Sequence, residues 1–216
     1  MKTLKKGILV PIEGIDGSGK STLAHTLHQE LLQLGYPALL TKEPGATSLG
    51  KELRSLVQEK KVSICSKAEF LLFATDRAQH FDEYIIPQLH AGKLIISDRM
   101  ADSSIVYQGY GRGLDKSMIE TINAWAMNGI KPDVTIFVQA TLATAQNRIA
   151  KRNAALTSFE QEKEDFIKKL IDGFTTLYHT RNDVITIDGN QTQETVTKQA
   201  ITKLISWIMN NQLIQK

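Results

Sequence analysis

The stretch Gly14-Ile15-Asp16-Gly17-Ser18-Gly19-Lys20-Ser21 decides how the rest of the chain is read. It fits the pattern of glycine, four residues, glycine, lysine, then serine or threonine. The residues before it, 7–13, form a short apolar run that reads as a buried strand. Those after it, 20–34, put Leu23, Leu27, Leu31 and Leu34 on one helical stripe that Gly35 ends. A glycine-rich turn between strand and helix can wrap its N–H groups around a phosphate, and the helix N-terminus adds its positive dipole end. Gly14, Ile15, Asp16, Gly17, Ser18, Gly19, Lys20, Ser21 and Thr22 are therefore candidate ATP-binding residues. Lys20 is placed to reach the β- and γ-phosphates, and the Ser21 hydroxyl is placed to ligate Mg²⁺.

Outward from this loop, strand and helix signals alternate. Further strands are expected at 38–41, 93–97, 133–138 and 183–187. Helices are expected at 51–58, 66–90, 114–127, 142–152, 159–179 and 192–209. Such alternation gives an α/β fold: a mostly parallel five-stranded sheet with helices on both faces, and ligands beyond the carboxyl ends of the strands. Pro11 lies inside the first strand, where it removes a ladder donor, so a local irregularity is expected there.

The chain of 216 residues suits one domain, with a lid near residues 148–160. A net charge of +3 without a basic run fits an anionic small substrate and argues against a nucleic-acid surface. The single cysteine, Cys65, excludes an intrachain disulfide, and no stretch approaches the roughly 18 apolar residues of a membrane span. Cytoplasm, with no membrane partner, is the expected setting. The five histidines show no ligand spacing and are expected on the surface or on helices.

A phosphate loop alone fits a small-molecule kinase, a GTPase switch or a motor ATPase. No Asn-Lys-x-Asp follows a later strand, as guanine recognition would require, and the strand at 133–138 ends in Gln139 where a motor ATPase usually carries acids. The short chain favours a kinase of nucleotides or metabolites.

The segments after the loop narrow the acceptor. In order stand Ile-Glu-Gly-Ile-Asp-Gly-Ser-Gly-Lys-Ser-Thr from Ile12, Glu43-Pro44-Gly45, Phe73 and Arg77 four apart on one helix face, Asp98-Arg99 at a strand end, and Tyr107-Gln108-Gly109. With these motifs the sequence resembles the thymidylate kinase family, which phosphorylates dTMP to dTDP with ATP in dTTP biosynthesis. The resemblance runs from Ile12 to about Ile187.

The resemblance implies the P-loop NTPase fold with a small helical lid, ATP as donor, Mg²⁺ and a homodimer. It gives Asp16 a place between donor and acceptor phosphates, and Arg99 a clamp on the acceptor phosphate. Asp98 would orient that phosphate or contact the metal through water. Phe73 would stack on the thymine ring, Arg77 would bond the base edge, and Ser104 and Gln108 would read the base. Tyr107 would pack under the sugar, with Glu43 and Arg54 completing the pocket. No protein nucleophile is needed, because the acceptor phosphate attacks directly.

The sequence departs from the family pattern at Lys42, where arginine is usual, at Thr157-Ser158 in place of Asp-Arg, at Gln139 in place of an acid, and at Pro11. Some family members carry arginine where Gly17 stands, and others place one in the lid. With glycine at 17 and serine at 158, Arg152 or Arg148 is left to supply the transition-state charge, and Arg152 is taken as catalytic.

Overall fold

A computed structural model describes residues 2–59, 62–152 and 155–215. Five strands, β1 (Ile8–Glu13), β2 (Ala38–Lys42), β3 (Leu94–Asp98), β4 (Thr135–Gln139) and β5 (Val184–Asp188), form one sheet in the order β2-β3-β1-β4-β5. Every pairing is parallel. The helices are α1 (Lys20–Gln33), α2 (Ser48–Gln58), α3 (Ser66–His80), α4 (Ile86–His90), α5 (Ala101–Ser104), α6 (Lys116–Ala126), α7 (Leu142–Lys151), α8 (Glu164–Tyr178) and α9 (Gln193–Asn210).

The period-2 alternation of β1 divides the core between the two faces of the sheet. Ile8, Val10 and Ile12 meet Leu23, Leu27 and Leu31 of α1 and Ala200, Leu204 and Ile208 of α9. Leu9 turns the other way, onto Ile95, Phe81, Ile85 and Met127. β1 is thus buried on both faces, and its carboxyl end delivers the glycine-rich loop to the centre of the sheet edge.

Pro11 makes the expected irregularity. Ile8 donates to Lys93 on the β3 side, so Leu9 and Pro11 present their nitrogens toward β4. The Leu9 N–H is taken by the Asp133 carboxylate, and pairing with β4 begins only at Ile12. The missing Pro11 donor therefore falls where no ladder acceptor waits.

The elements differ from the sequence reading at several points, and α2 begins at Ser48, not at residue 51, because the Thr47 side chain caps it. The helix expected at 66–90 is interrupted by a π-helical turn, Phe81–Ile85, which keeps both Phe81 and Ile85 buried against the sheet. The helix expected from residue 159 begins at Glu164, because residues 158–160 form a turn. Residues 101–111, given no element in advance, form α5 and a π-helical segment, Ile105–Gly111. Glycine permits close approach between this segment and α8. A Cβ at Gly111 would sit 2.6 Å from the Phe166 ring of α8, and one at Gly173 would sit 2.9 Å from Tyr110. Of the lid expected near 148–160, Asn153 and Ala154 lie outside the described residues. Among the described residues no helix is long and apolar enough to cross a membrane.

Candidate active site

Two clefts open at the carboxyl edge of the sheet and share a wall. One is lined by the loop residues Asp16 to Leu23 with Arg148, Ile149, Arg152, Glu160 and residues 191–193. The other is lined by Lys42, Glu43, Pro44, Arg54, Phe73, Arg77, Asp98, Arg99, Ser104, Tyr107, Gln108 and Phe159. Asp16, Lys20, Ser21, Arg152 and Glu160 line both.

The loop geometry follows from its glycines. Gly14, Gly17 and Gly19 have φ of 150°, 78° and 99°, and Gly19 caps α1 in the left-handed region. Gly14 and Ile15 stand behind the loop and do not line the cleft: Ile15 is buried in the core, and the Gly14 carbonyl accepts from Arg99 Nη1. Lys20 folds back to donate to the Ile15 carbonyl at 3.2 Å and to Asp16 Oδ1 at 3.4 Å. Burial, with the Arg99 charge beside it, lowers its pKa.

Asp16 is the hub of the shared wall. Its Oδ1 accepts from Arg99 Nη2 at 2.6 Å and its Oδ2 from the Tyr107 hydroxyl at 2.8 Å. Burial alone would raise its pKa, but the Arg99 and Lys20 charges outweigh that and hold it well below the usual carboxylate range. Arg99 has a left-handed backbone, φ 74°. Its Nη1 donates to Ser103 Oγ at 2.9 Å, and Ser103 Oγ donates to Glu13 Oε2 at 2.5 Å. Glu13 also accepts from the backbone N–H groups of Met100 and Ser103, so it holds the turn that carries Arg99. Burial, and then the Asp102 charge, push the Glu13 carboxyl up to about 7. Sequence reasoning gave Glu13 no role, because its partners are about ninety residues away.

On the acceptor side, Arg77 is fully buried. Its Nε donates to Glu43 at 2.9 Å and its Nη1 to Asn123 at 2.6 Å and Ser104 at 3.3 Å. Glu43 is thus a support for Arg77. It also meets His80 Nδ1 at 3.1 Å, while His80 Nε2 meets Thr41. So His80 lies on a helix as expected, but it is wholly buried and serves the site. Phe73 is half-buried and lines the cleft, with the Phe159 ring 6.0 Å away. Arg54 Nη1 is held by the Pro44 carbonyl at 2.9 Å. Gln108, buried, donates its amide nitrogen to Glu69.

The two arginines considered for the transition state stand differently. Arg148 is committed to the Ser18 and Gln191 carbonyls and lines only the loop cleft. Arg152 lines both clefts, and the Glu160 carboxylate takes its Nη2 at 2.7 and 2.9 Å. Glu160 is itself fixed by the Thr157 N–H, and Thr157 Oγ1 accepts from the Glu160 N–H. Ser158 points elsewhere: its N–H and hydroxyl donate to the Gln58 and Val57 carbonyls at the end of α2. Among the described residues no group of three or more His, Cys, Asp or Glu forms a metal cluster. Asp98 Oδ1, however, is buried without a hydrogen-bond partner.

This arrangement has counterparts. The thymidylate kinase family model matches residues 12–200. The chain is 36% identical over 201 residues to the thymidylate kinase of Halothermothrix orenii, covering 92% of this chain and 97% of that protein. It is 40% identical over 197 residues to that of a Thermoanaerobacter species, covering 91% and 96%. The crystal structure of thymidylate kinase from Ehrlichia chaffeensis superposes with a TM-score of 0.74 at 30% identity, over 92% of this chain and 99% of that one. A phosphate loop and an acceptor cleft that share Asp16 and Lys20, with a family match running through both, lead to one conclusion: the chain belongs to the thymidylate kinase family.

Proposed function

We propose that this chain transfers the γ-phosphoryl group of ATP to dTMP, giving dTDP and ADP. The observation that carries this reading is the wall of Asp16, Lys20, Ser21, Arg152 and Glu160 shared by the two clefts. A donor phosphate in one and an acceptor phosphate in the other meet there, as direct transfer requires.

An oxygen of the dTMP phosphate attacks the γ-phosphorus, and the bond to the bridging β-oxygen breaks as ADP leaves. Loop N–H groups and Lys20 hold the donor phosphates. Arg99 and Arg54 receive the acceptor phosphate, and Asp16 fixes Arg99 through the 2.6 Å ion pair. Lys20, Arg99 and Arg152 offset charge spread over the transferring oxygens. On the acceptor side Phe73 stacks on the base, Arg77 bonds its edge, Ser104 and Gln108 read it, and Tyr107 lies under the sugar.

The Ser21 hydroxyl and the Asp98 carboxylate are the groups that would hold Mg²⁺, and the unpartnered Asp98 Oδ1 suits a cation or its bound water. When bound, the ion neutralises further phosphate charge. Residues from about 148 to 160 act as a lid that excludes water and brings Arg152 over the junction.

The reading is of a single-domain cytoplasmic enzyme, with Cys65 unable to pair within the chain. It is also of a homodimer formed through α6, where Met118 and Trp125 share a face and are 58% and 78% exposed.

The test is ADP release measured with ATP-Mg²⁺ and a panel of nucleoside monophosphates. Turnover should be fastest with dTMP, with dAMP, dCMP and dGMP far behind. Equal rates across the panel would sink the assignment.

A further inference from the structure

Glu69, Phe73 and Arg77 lie four apart along α3 and form one stripe, of which Phe73 and Arg77 line the acceptor cleft. The reading above uses Phe73 and Arg77 and leaves Glu69 without a task. Its Oε1 accepts from Gln108 Nε2 at 2.9 Å, and its carboxylate is held by Arg112 Nη2 at 3.3 Å. Arg112 in turn donates to Glu162 at 2.8 Å and lies over the Phe166 ring, 4.5 Å from its centroid. Glu69 is therefore held in place by a half-buried arginine.

A carboxylate can only accept hydrogen bonds, so the group Gln108 turns toward Glu69 must be its NH₂. A glutamine amide has two ends, and fixing the nitrogen fixes the oxygen. Gln108 is buried and lines the acceptor cleft, which leaves Oε1, a pure acceptor, for whatever the cleft holds. Nearby, Arg77 can only donate. The pair thus presents one acceptor and one donor. That pattern matches an imide edge, in which a ring N–H stands beside a carbonyl, as in thymine and uracil. Cytosine presents the reverse, a bare ring nitrogen beside an amino group, and would set acceptor against acceptor and donor against donor.

We propose that Glu69 is a positioning residue for base specificity, holding the Gln108 amide so that its carbonyl oxygen faces the base. The inference rests on the dTMP reading of the same cleft. Without Glu69 the Gln108 amide can turn over, and its NH₂ end then suits the ring nitrogen of cytosine. Discrimination between the two pyrimidines falls, although no atom of Glu69 touches the base. Buried groups left mispaired are what give a polar site its selectivity.

The experiment compares kcat/KM for dTMP and for dCMP in the wild-type enzyme and in Glu69→Gln, whose amide can either donate or accept. The expected result is a dTMP-over-dCMP ratio lowered at least about tenfold, with the KM for ATP unchanged. An unchanged ratio, whether both activities fall together or neither does, overturns the proposal and leaves Glu69 a structural residue. Should Glu69→Gln not fold, calorimetric titration of the wild-type protein with dTMP and N3-methyl-dTMP takes its place. Binding of dTMP at least about tenfold tighter supports a carbonyl facing the ring N–H, and equal binding overturns it. If the wild-type enzyme does not phosphorylate dTMP at all, it is the functional reading that fails, and this shows before any variant is compared.

Discussion

Gly17 lies against Ala145 of α7 so closely that a Cβ at position 17 would sit 2.5 Å from the Ala145 carbonyl oxygen. The φ of Gly17, 78°, is in the region other residues avoid. An arginine at position 17 is thus excluded by the backbone of α7. Gly17→Ala is expected to distort the loop at a strain of about 1–3 kcal/mol and weaken ATP binding at least about tenfold. Calorimetry with ATP checks this, and unchanged affinity would show that α7 yields.

Lys20→Ala should reduce phosphoryl transfer on the order of 10²–10³-fold. The fold should survive, because the Lys20 side chain bonds only Asp16 and the Ile15 carbonyl among the described residues. Single-turnover rates beside a circular-dichroism melt separate the two effects. Near-normal transfer would remove the loop from the mechanism.

Arg152→Ala should lower kcat on the order of 10³-fold while leaving the KM for dTMP within a few-fold. Glu160→Gln should act in the same direction but less, since it loosens the guanidinium without removing it. Arg148→Ala should act mainly on ATP binding, because Arg148 is engaged by the Ser18 and Gln191 carbonyls. If Arg148→Ala lowers kcat and Arg152→Ala does not, the two arginines exchange roles.

Glu13 makes stability depend on pH. Its folded pKa of about 7 lies above the ordinary value of 4.5, so the folded state holds the proton more tightly than the unfolded chain. Stability from this group is full below about pH 4.5 and is lost as pH rises toward 7. Asp76, raised to about 6 by burial and then by Glu43, acts in the same sense. Asp16 and Glu43 are depressed and act oppositely, losing stability only as pH falls below the ordinary carboxylate range. Glu13→Gln should therefore lose less Tm than the wild type between pH 5 and 7.5. Parallel Tm profiles would count against an ionising Glu13.

Trp125→Glu should convert a dimer to a monomer in sedimentation equilibrium, because the indole is 78% exposed on α6 with Met118 two turns earlier. A wild-type protein that already sediments as a monomer would dispose of the dimer reading.

Much of the fold was legible because it is written in local spacing. The loop motif, the stripe of leucines on α1 and the apolar run of β3 each announce their element within a few residues. The segment at 101–111 was not legible. Gly109 lies against Lys116 of α6, and Gly111 is a contact point for Phe166 of α8, about fifty residues on. The turn at 158–160 was missed for a similar reason, since Ser158 is held by the end of α2.

The site divides along the same line. The sequence by itself determined the phosphate loop, the acceptor motifs and the family resemblance, because these depend on residue types at fixed short spacings. Only the tertiary structure decided which groups support them: Glu13 behind Arg99, Glu43 and Asn123 behind Arg77, Glu69 behind Gln108, and Glu160 behind Arg152. It also separated Arg152 from Arg148, which lie four apart in the helix expected at 142–152 but take different partners in space, Arg152 standing just past the end of α7. The physical reason is that a hydrogen bond acts over about 3 Å, while four of these five supports, all but Glu160, join residues that the chain keeps far apart until the fold brings them together.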